Sequence, residues 1–319
     1  MSQPTIVCIS ANPGLDRRIR LHNLAVGEIN RARTVESLPG GKAAHVAMAS
    51  RALGAHAVWL GFLGGATGEE CAAGLRTLGI EVVPVRVSDS TRINLEFIED
   101  SKKVTEVLEP GNSPGSAACE EMLDILANRL KAEWKNATVA ISGSLPVETP
   151  SEFYISLVKA ARKAGSKVFL DTSGEALSAT LAAGPDLVKP NRQEAEGLLS
   201  TSLRGGRSVA NAAKQLIARG ASSAAITMGA EGMIWIEGKD GAGWVAHAPK
   251  INPVSAVGSG DATLAGFAYG SAVGKSGPEL LKLAAACGAA NCMAALPGQI
   301  TRTNVERFIS QVEISEITN

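Results

Sequence analysis

From Thr138 onward the chain keeps a regular rhythm of short apolar runs and longer helical patterns, and this rhythm leaves few folds open to it. The runs Thr138–Ser142, Val168–Asp171, Asp186–Val188 and Ala224–Thr227 read as strands buried on both faces. Helical patterns fill roughly 151–164, 175–182 and 208–219, and a shorter one carries Glu194 in its first turn. Apolar strands alternating with helices imply a mostly parallel sheet covered on both sides, an α/β sandwich of Rossmann type. Thr5–Ile9 and Ala57–Leu63 supply further strands, Met233–Ile236 starts a return strand, and helices from Asp261, Pro278 and Thr303 finish the chain. Several strands end in polar or glycine-rich turns: Ser142-Gly143, Asp171-Thr172-Ser173, Lys189-Pro190-Asn191 and Met228-Gly229. Ligands of open α/β sheets bind beyond the carboxyl ends of strands, so these turns are expected to line one crevice.

Two segments, roughly 15–38 and 86–108, break the rhythm and are expected to form a small separate β-sheet lid on a single domain spanning 1–319. In the second, Ile93, Leu95 and Phe97 share one face, while Arg92, Asn94 and Glu96 share the other. That polar face can close over a polar ligand or be an ordinary solvent face, and spacing alone leaves both open.

The chain has 319 residues, with 31 basic and 31 acidic side chains and a formal net charge of zero. Capture of nucleic acid or a charged membrane surface by bulk charge is therefore not expected, and any bound anion needs a local cluster. No charged start followed by a signal-length apolar stretch, and no run of about 18 apolar residues, is visible. The five cysteines are scattered and unpaired in spacing, which fits free thiols in a reducing compartment. A cytoplasmic protein is expected.

Asn252-Pro253-Val254-Ser255-Ala256-Val257-Gly258-Ser259-Gly260-Asp261 then leads into a helical run. Small residues let successive N–H groups converge, and the helix N-terminus adds partial positive charge there, so Gly258, Ser259 and Gly260 read as an anion hole. Asp261 at its mouth is placed to take a proton from a group attacking the bound anion. A phosphoryl group suits such a hole, because its transfer depends on positioning and charge stabilisation. An acid-capped helix after a glycine turn accounts for the same residues structurally.

Read together, these pieces resemble the PfkB (ribokinase-like) sugar kinases over essentially the whole chain. The likeness rests on Asn12-Pro13-Gly14-Leu15-Asp16, Gly40-Gly41-Lys42, Gly64-Gly65-Ala66-Thr67-Gly68, Thr91-Arg92-Ile93-Asn94 and Ser142-Gly143-Ser144-Leu145-Pro146. It continues through Asp171-Thr172-Ser173-Gly174-Glu175-Ala176-Leu177, Lys189-Pro190-Asn191 with Glu194, and Val257-Gly258-Ser259-Gly260-Asp261. The resemblance implies a ribokinase-like fold with a β-sheet lid that often forms a dimer contact, and phosphoryl transfer from ATP with Mg²⁺. It implies Asp261 as general base and Gly258, Ser259 and Gly260 around the transferring phosphoryl. Lys189, Asn191, Glu194, Thr227, Gly229, Gly232 and Asn291 fall on the nucleotide side, with Glu194 reaching Mg²⁺ through water. A monovalent cation is a further cofactor of such proteins.

On the acceptor side the resemblance implies Asp16, Gly40, Gly41, Asn94 and Ser142. Lys42 and Arg92 are the candidates for a phosphate already on the sugar, since Arg suits bidentate phosphate contact and Lys a point charge. That pair favours a ketohexose phosphate acceptor, of the phosphofructokinase or tagatose-6-phosphate kinase type. Two departures bear on specificity: Lys42-Ala43-Ala44-His45 puts His45 where the family carries a sugar-contacting Asn, and Glu96 stands where Lys is common. Alternatives are a kinase of an unphosphorylated sugar or nucleoside, or a sensor that binds a sugar phosphate without catalysis. A nicotinamide enzyme is disfavoured, because no Gly-x-Gly-x-x-Gly follows the first strand.

Overall fold

The β-branched run of β1 (Thr5–Ser10) is buried along almost its whole length and sits inside the sheet, so its side chains meet apolar partners on both faces. A computed structural model describes residues 3–238 and 242–317. After β1 come β2 (Gly14–Leu21), β3 (Thr34–Gly40), α1 (Lys42–Ala52), β4 (His56–Leu63), α2 (Gly65–Thr77) and β5 (Glu81–Arg86). They are followed by β6 (Arg92–Glu99), β7 (Val104–Leu108), α3 (Ser116–Ala132), β8 (Thr138–Ser142), α4 (Glu152–Lys163), β9 (Lys167–Asp171) and α5 (Gly174–Leu181). Next are β10 (Leu187–Val188), α6 (Arg192–Leu199), α7 (Gly206–Ala218), β11 (Ser223–Thr227), β12 (Met233–Glu237) and β13 (Gly243–His247). The chain then runs through α8 (Ser259–Ala272), α9 (Gly277–Cys292), α10 (Arg302–Ile309) and β14 (Glu313–Glu316).

The large sheet has the order β14-β13-β12-β11-β10-β9-β8-β1-β4-β5. It is parallel from β5 to β11, and the last three strands join antiparallel. One core lies between the sheet and α1, α2, α8, α9 and α10, and a second between the sheet and α3, α4, α5 and α7. The expected sandwich is the observed one. Sequence reading did not foresee β13 and β14. Of β14 only Ile314 is more than slightly covered, so this edge strand has no apolar periodicity to betray it. Met1 and Ser2, which the sequence reading used to judge the start of the chain, lie outside the described residues.

The expected lid is a second sheet of order β3-β2-β6-β7, with β2 and β6 parallel. Its first segment extends back to Gly14, and β5, at the edge of the expected second segment, belongs to the large sheet. The face left open by spacing is settled here: Asp16, Arg18, Asn94 and Glu96 are buried against the body. Ile19, Ile93, Leu95 and Phe97 lie on the other, half-exposed face, in register with exposed Val35 and Val107. The lid is polar inside and apolar outside.

Helix α8 carries Asp261 and is almost entirely buried. It approaches α9 closely at Gly266, where an added Cβ would lie 2.7 Å from the Cα of Ala284. Gly266→Ala is therefore expected to lower stability by about 1–3 kcal/mol through overpacking, read as a shifted denaturant midpoint with unchanged slope.

Candidate functional site

The strand-end crevice expected from the sequence is built around one carboxylate. Asp171 is the last residue of β9, in register with Ser142 at the end of β8, and is 2% exposed. Its Oδ2 accepts from Lys189 Nζ at 2.9 Å, and its Oδ1 lies 3.4 Å from Lys42 Nζ. Lys189 follows β10 directly and is itself buried, while Lys42 opens α1. Burial alone would push the Asp171 carboxyl up, but Lys189 and Lys42 overcome it and hold the group below the usual carboxylate range. Lys42 is pushed above the ordinary lysine value, chiefly by Asp171. The sequence reading included Asp171 in a motif but gave it no role; nothing in one sequence says that two distant lysines converge on it.

Lys42 Nζ also lies 3.5 Å from Glu194 Oε1. Glu194 and Asn191 form a reciprocal cap on α6: the Glu194 N–H donates to Asn191 Oδ1, and Asn191 N–H donates to Glu194 Oε2, each at 2.8 Å. The pair thus has the plain helix-start role set beside the family role in the sequence. Among the described residues no group of three or more His, Cys, Asp or Glu side chains could hold a metal ion. A Mg²⁺ ion held mainly by phosphates and water needs only one or two carboxylates nearby, and Glu194 fits that demand.

The turn before α8 is fixed by the geometry of one glycine. Gly258 caps the helix at φ 78, a left-handed conformation, and a Cβ there would lie 2.9 Å from Pro297 Cβ, so glycine is required twice over. Ser259 turns both its N–H and its hydroxyl back onto the Ala256 carbonyl, at 3.2 and 2.8 Å. The first free donors are therefore the N–H groups of Gly260 and Asp261 rather than that of Ser259. Lys189 Nζ lies 3.3 Å from the position a Gly260 Cβ would take, which adds a cation beside the turn.

Asp261 is 5% exposed, and its Oδ2 lies 2.9 Å from His45 Nδ1. The other ring nitrogen, Nε2, is 3.5 Å from Asp16 Oδ2. Asp16 Oδ1 in turn accepts from Asn94 Nδ2 at 2.7 Å. Gly40 is required at this point, because a Cβ there would lie 1.9 Å from Asp16 Oδ1. Burial opposes a charge on His45, but the two carboxylates outweigh it and the imidazole is pushed up to about 10.

Other expected residues are brought to the same crevice. The Ser142 hydroxyl, the Asn94 carbonyl oxygen and the Thr172 hydroxyl are buried without hydrogen-bond partners, which marks places for a ligand's polar groups. Gly41 caps α1 at φ 87 with its added Cβ 3.5 Å from Pro13 Cα and Gly14 N, so the backbone is close there. Thr227 ends β11 and bridges to Asn191, and Gly229 opens the short 3₁₀ turn Gly229–Glu231 that follows. Arg192 holds that turn through both Glu231 oxygens, at 2.8 Å each, a contact sequence reading missed.

Three expectations change. Lys42 and Arg92, read as one phosphate-binding pair, share no partner: the Arg92 guanidinium donates to the carbonyls of Asn12, Pro13 and Glu109 at 2.7–3.2 Å. Asn291, expected beside the nucleotide, is 1% exposed and uses both amide ends internally, on the Val257 carbonyl and the Gly298 N–H. It fixes the turn before α8 from behind. Gly232 is needed by the backbone, since a Cβ would lie 1.9 Å from the Ala246 carbonyl.

Residues 5–301 match the model of the pfkB family carbohydrate kinases. The chain is 31% identical over 313 residues to the 1-phosphofructokinase of Borreliella burgdorferi, covering 98% of this chain and 99% of that one. It is 36% identical over 267 residues to the 1-phosphofructokinase of Xanthomonas campestris, covering 82% of each. Among solved structures it is similar to phosphofructokinase-2 from Escherichia coli in complex with potassium, with TM-score 0.89, 26% identity, and 97% and 99% of the chains covered.

Because Asp171 sits below its usual range, its contribution to stability is present above about pH 4 and is lost as pH falls through its folded value. Asp171→Asn is expected to cost about 3–5 kcal/mol at neutral pH, since it leaves buried Lys189 unpaired. Chemical denaturation at pH 7 and pH 3 checks this: the gap between variant and parent should narrow at the lower pH.

Proposed function

The chain belongs to the pfkB family of carbohydrate kinases, and from that premise we propose that it moves the γ-phosphoryl group of ATP to a hydroxyl of a ketohexose phosphate. The single observation carrying this reading is a nearly buried carboxylate, Asp261, in the first turn of α8, beside free N–H groups and the Lys189 ammonium. Asp261 takes the proton of the acceptor hydroxyl as that oxygen attacks phosphorus. The Gly258–Gly260 turn, the helix end and Lys189 stabilise the charge on the transferring group. Lys42, between Asp171 and Glu194, adds a further cation on that side of the crevice.

The acceptor sugar is assigned to the pocket below the lid, against Asp16, Gly41, His45, Asn94 and Ser142. Its existing phosphate is assigned to Arg92. Three of the five guanidinium donors are spent on carbonyls, which leaves two for phosphate and pre-orients the fork. Arg92 also lines a small cavity with Asn12, Ser90, Asn112 and Ser113, a set of polar groups suited to a phosphate. The relatives named 1-phosphofructokinase and the solved phosphofructokinase-2 support a phosphorylated rather than a neutral sugar.

The nucleotide is assigned to the rim formed by Lys189, Asn191, Thr227 and Gly229, with Mg²⁺ neutralising its phosphates when bound and Glu194 reaching it through water. The potassium complex of phosphofructokinase-2 supports a monovalent cation as a further cofactor. No helix among the described residues is long and apolar enough to cross a membrane.

ATP consumption across fructose 1-phosphate, fructose 6-phosphate, tagatose 6-phosphate, free hexoses and nucleosides tests the acceptor. Turnover is expected with one phosphorylated ketose, and Asp261→Asn should lower kcat roughly 10²–10⁴-fold. Arg92→Ala should raise KM for the sugar phosphate and leave KM for ATP alone. Turnover of neutral sugars only would remove the phosphate role of Arg92. Thermal stabilisation by a sugar phosphate without turnover would favour a sensor.

The apolar outer face of the lid supports a homodimer through that sheet, since Leu95, Phe97, Val35 and Val107 otherwise meet water. Leu95→Asp with Val107→Asp is expected to give monomers in sedimentation velocity. A parent chain already monomeric at tens of micromolar would sink this assembly.

A further inference from the structure

His45 occupies the position of a family amide, yet its surroundings are built for a cation. Both ring nitrogens face carboxylate oxygens, Asp261 at 2.9 Å and Asp16 at 3.5 Å, and all three residues are at most 7% exposed. A neutral imidazole has one N–H, so it would turn a lone pair toward one of the two carboxylates. An imidazolium donates to both. Two other cations lie within reach by charge, Arg92 toward Asp16 and Lys42 toward Asp261, but neither hydrogen-bonds to these carboxylates. Arg18 and Glu96 line the same cavity but pair with each other at 3.1 Å. The 296–299 loop on its far side brings only Leu296, Pro297, Gly298 and Gln299, which carry no charge. Lys42, one turn earlier on α1, is committed to Asp171 and Glu194.

The arrangement is also rigid. A Cβ on Gly298 would lie 2.7 Å from His45 Cα, so the loop presses on the helix backbone at this residue. Asp16 is pinned from the other side by Asn94.

We propose that His45 is a positioning residue: as an imidazolium it clamps Asp261, the base, to Asp16, the sugar-ordering acid, and so fixes the pH range in which the base can accept a proton. The proposal rests on the reading of Asp261 above and deepens it. In the step itself the acceptor O–H proton passes to the Asp261 carboxylate as the new O–P bond forms. The bond from the γ-phosphorus to the ADP oxygen breaks, and its electron pair leaves with ADP. His45 keeps its own proton throughout. Its positive charge lies 2.9 Å from the Asp261 carboxylate, so removing it is expected to show in the pH dependence of turnover. An amide at position 45 carries no charge and ends short of the Nε2 position that faces Asp16.

The charge also enters folding. With the folded imidazole pushed up to about 10 and an ordinary value near 6.5, the contribution is full below about 6.5 and fades as pH rises toward 10.

Two measurements test the clamp. The first is the pH profile of kcat/KM from pH 5 to 10 for the parent and His45→Asn. The acid limb is expected to move up by about 1–3 pH units in the variant, so that it loses at least tenfold more activity at pH 6 than at pH 8.5, with KM for ATP within twofold. A uniform loss at all pH values with an unmoved limb would mean a merely structural His45 and overturn the proposal. The second needs no turnover: ¹³C NMR titration of a chain carrying His22→Gln, His56→Gln and His247→Gln, which leaves His45 as the sole imidazole of the four. It should remain charged at pH 8, and titrate lower when Asp261→Asn is added. A neutral imidazole at pH 7 would overturn the clamp even if His45→Asn failed to fold. If Asp261→Asn kept full turnover while His45 stayed charged, the base assignment would fall and the charged bridge would stand.

Discussion

Three nearly buried carboxylates, Asp16, Asp171 and Asp261, meet in one crevice, and the site depends on a cation being found for each without filling the space a substrate needs. Carboxylates removed from water at such close quarters repel and cannot stay charged unpaired. The fold solves this by topology. Asp171 ends a strand flanked by the β10 end and the start of α1, so Lys189 and Lys42 reach it from two sides. Asp261 and Asp16 come from a helix and a lid strand far apart in sequence, and His45, on the central helix, serves both. The consequence is a crevice that is polar and charged yet balanced, with its cations drawn to one side and free helix N–H groups on the other.

Much of this could be read from the chain alone, and the reasons differ from residue to residue. The parallel sheet was legible because β8, β9 and β11 carry apolar runs bounded by turns, a signal that burial on both faces imposes directly. The turn before α8 was legible because Gly258 must adopt a left-handed conformation and leave room for Pro297, so its identity is dictated by backbone geometry. Partnerships were not legible. Asn291 looked like a ligand contact because it is an amide among small residues, but it is consumed by Val257 and Gly298, a loop only seven residues further on that folds back. Arg92 and Lys42 looked like a pair because both are cations in motifs, while the lid strand and α1 in fact aim them at different carbonyls and carboxylates. Which group meets which is a property of three-dimensional packing, and a single sequence carries no record of it.

His45 illustrates the same limit in the other direction. As a departure from a family pattern it suggested altered sugar contact, a local reading of one side chain. Its position between two carboxylates shifts the question from what it touches on a ligand to what it does to Asp261. One imidazole replaces the separate donor and acceptor of an amide by two donors and a charge, and the carboxylates on either side make that charge the more stable form.

The inverted lid links these points. A solvent-facing sheet usually buries its apolar residues and exposes its polar ones; here the middle of β2 and β6 turns polar side chains inward, because that face supplies Asp16 and Asn94 to the crevice and seats the Arg18–Glu96 pair at its edge. Alternation along a strand then forces Ile19, Ile93, Leu95 and Phe97 outward. The apolar exterior is thus not an independent feature but the geometric complement of the polar interior. Whatever covers it acts on the same strands that hold Asp16, and through Asp16 and His45 on Asp261. The outer face of the lid and Asp261 are therefore joined by strand register, the Asn94–Asp16 hydrogen bond and the contacts of His45 with Asp16 and Asp261.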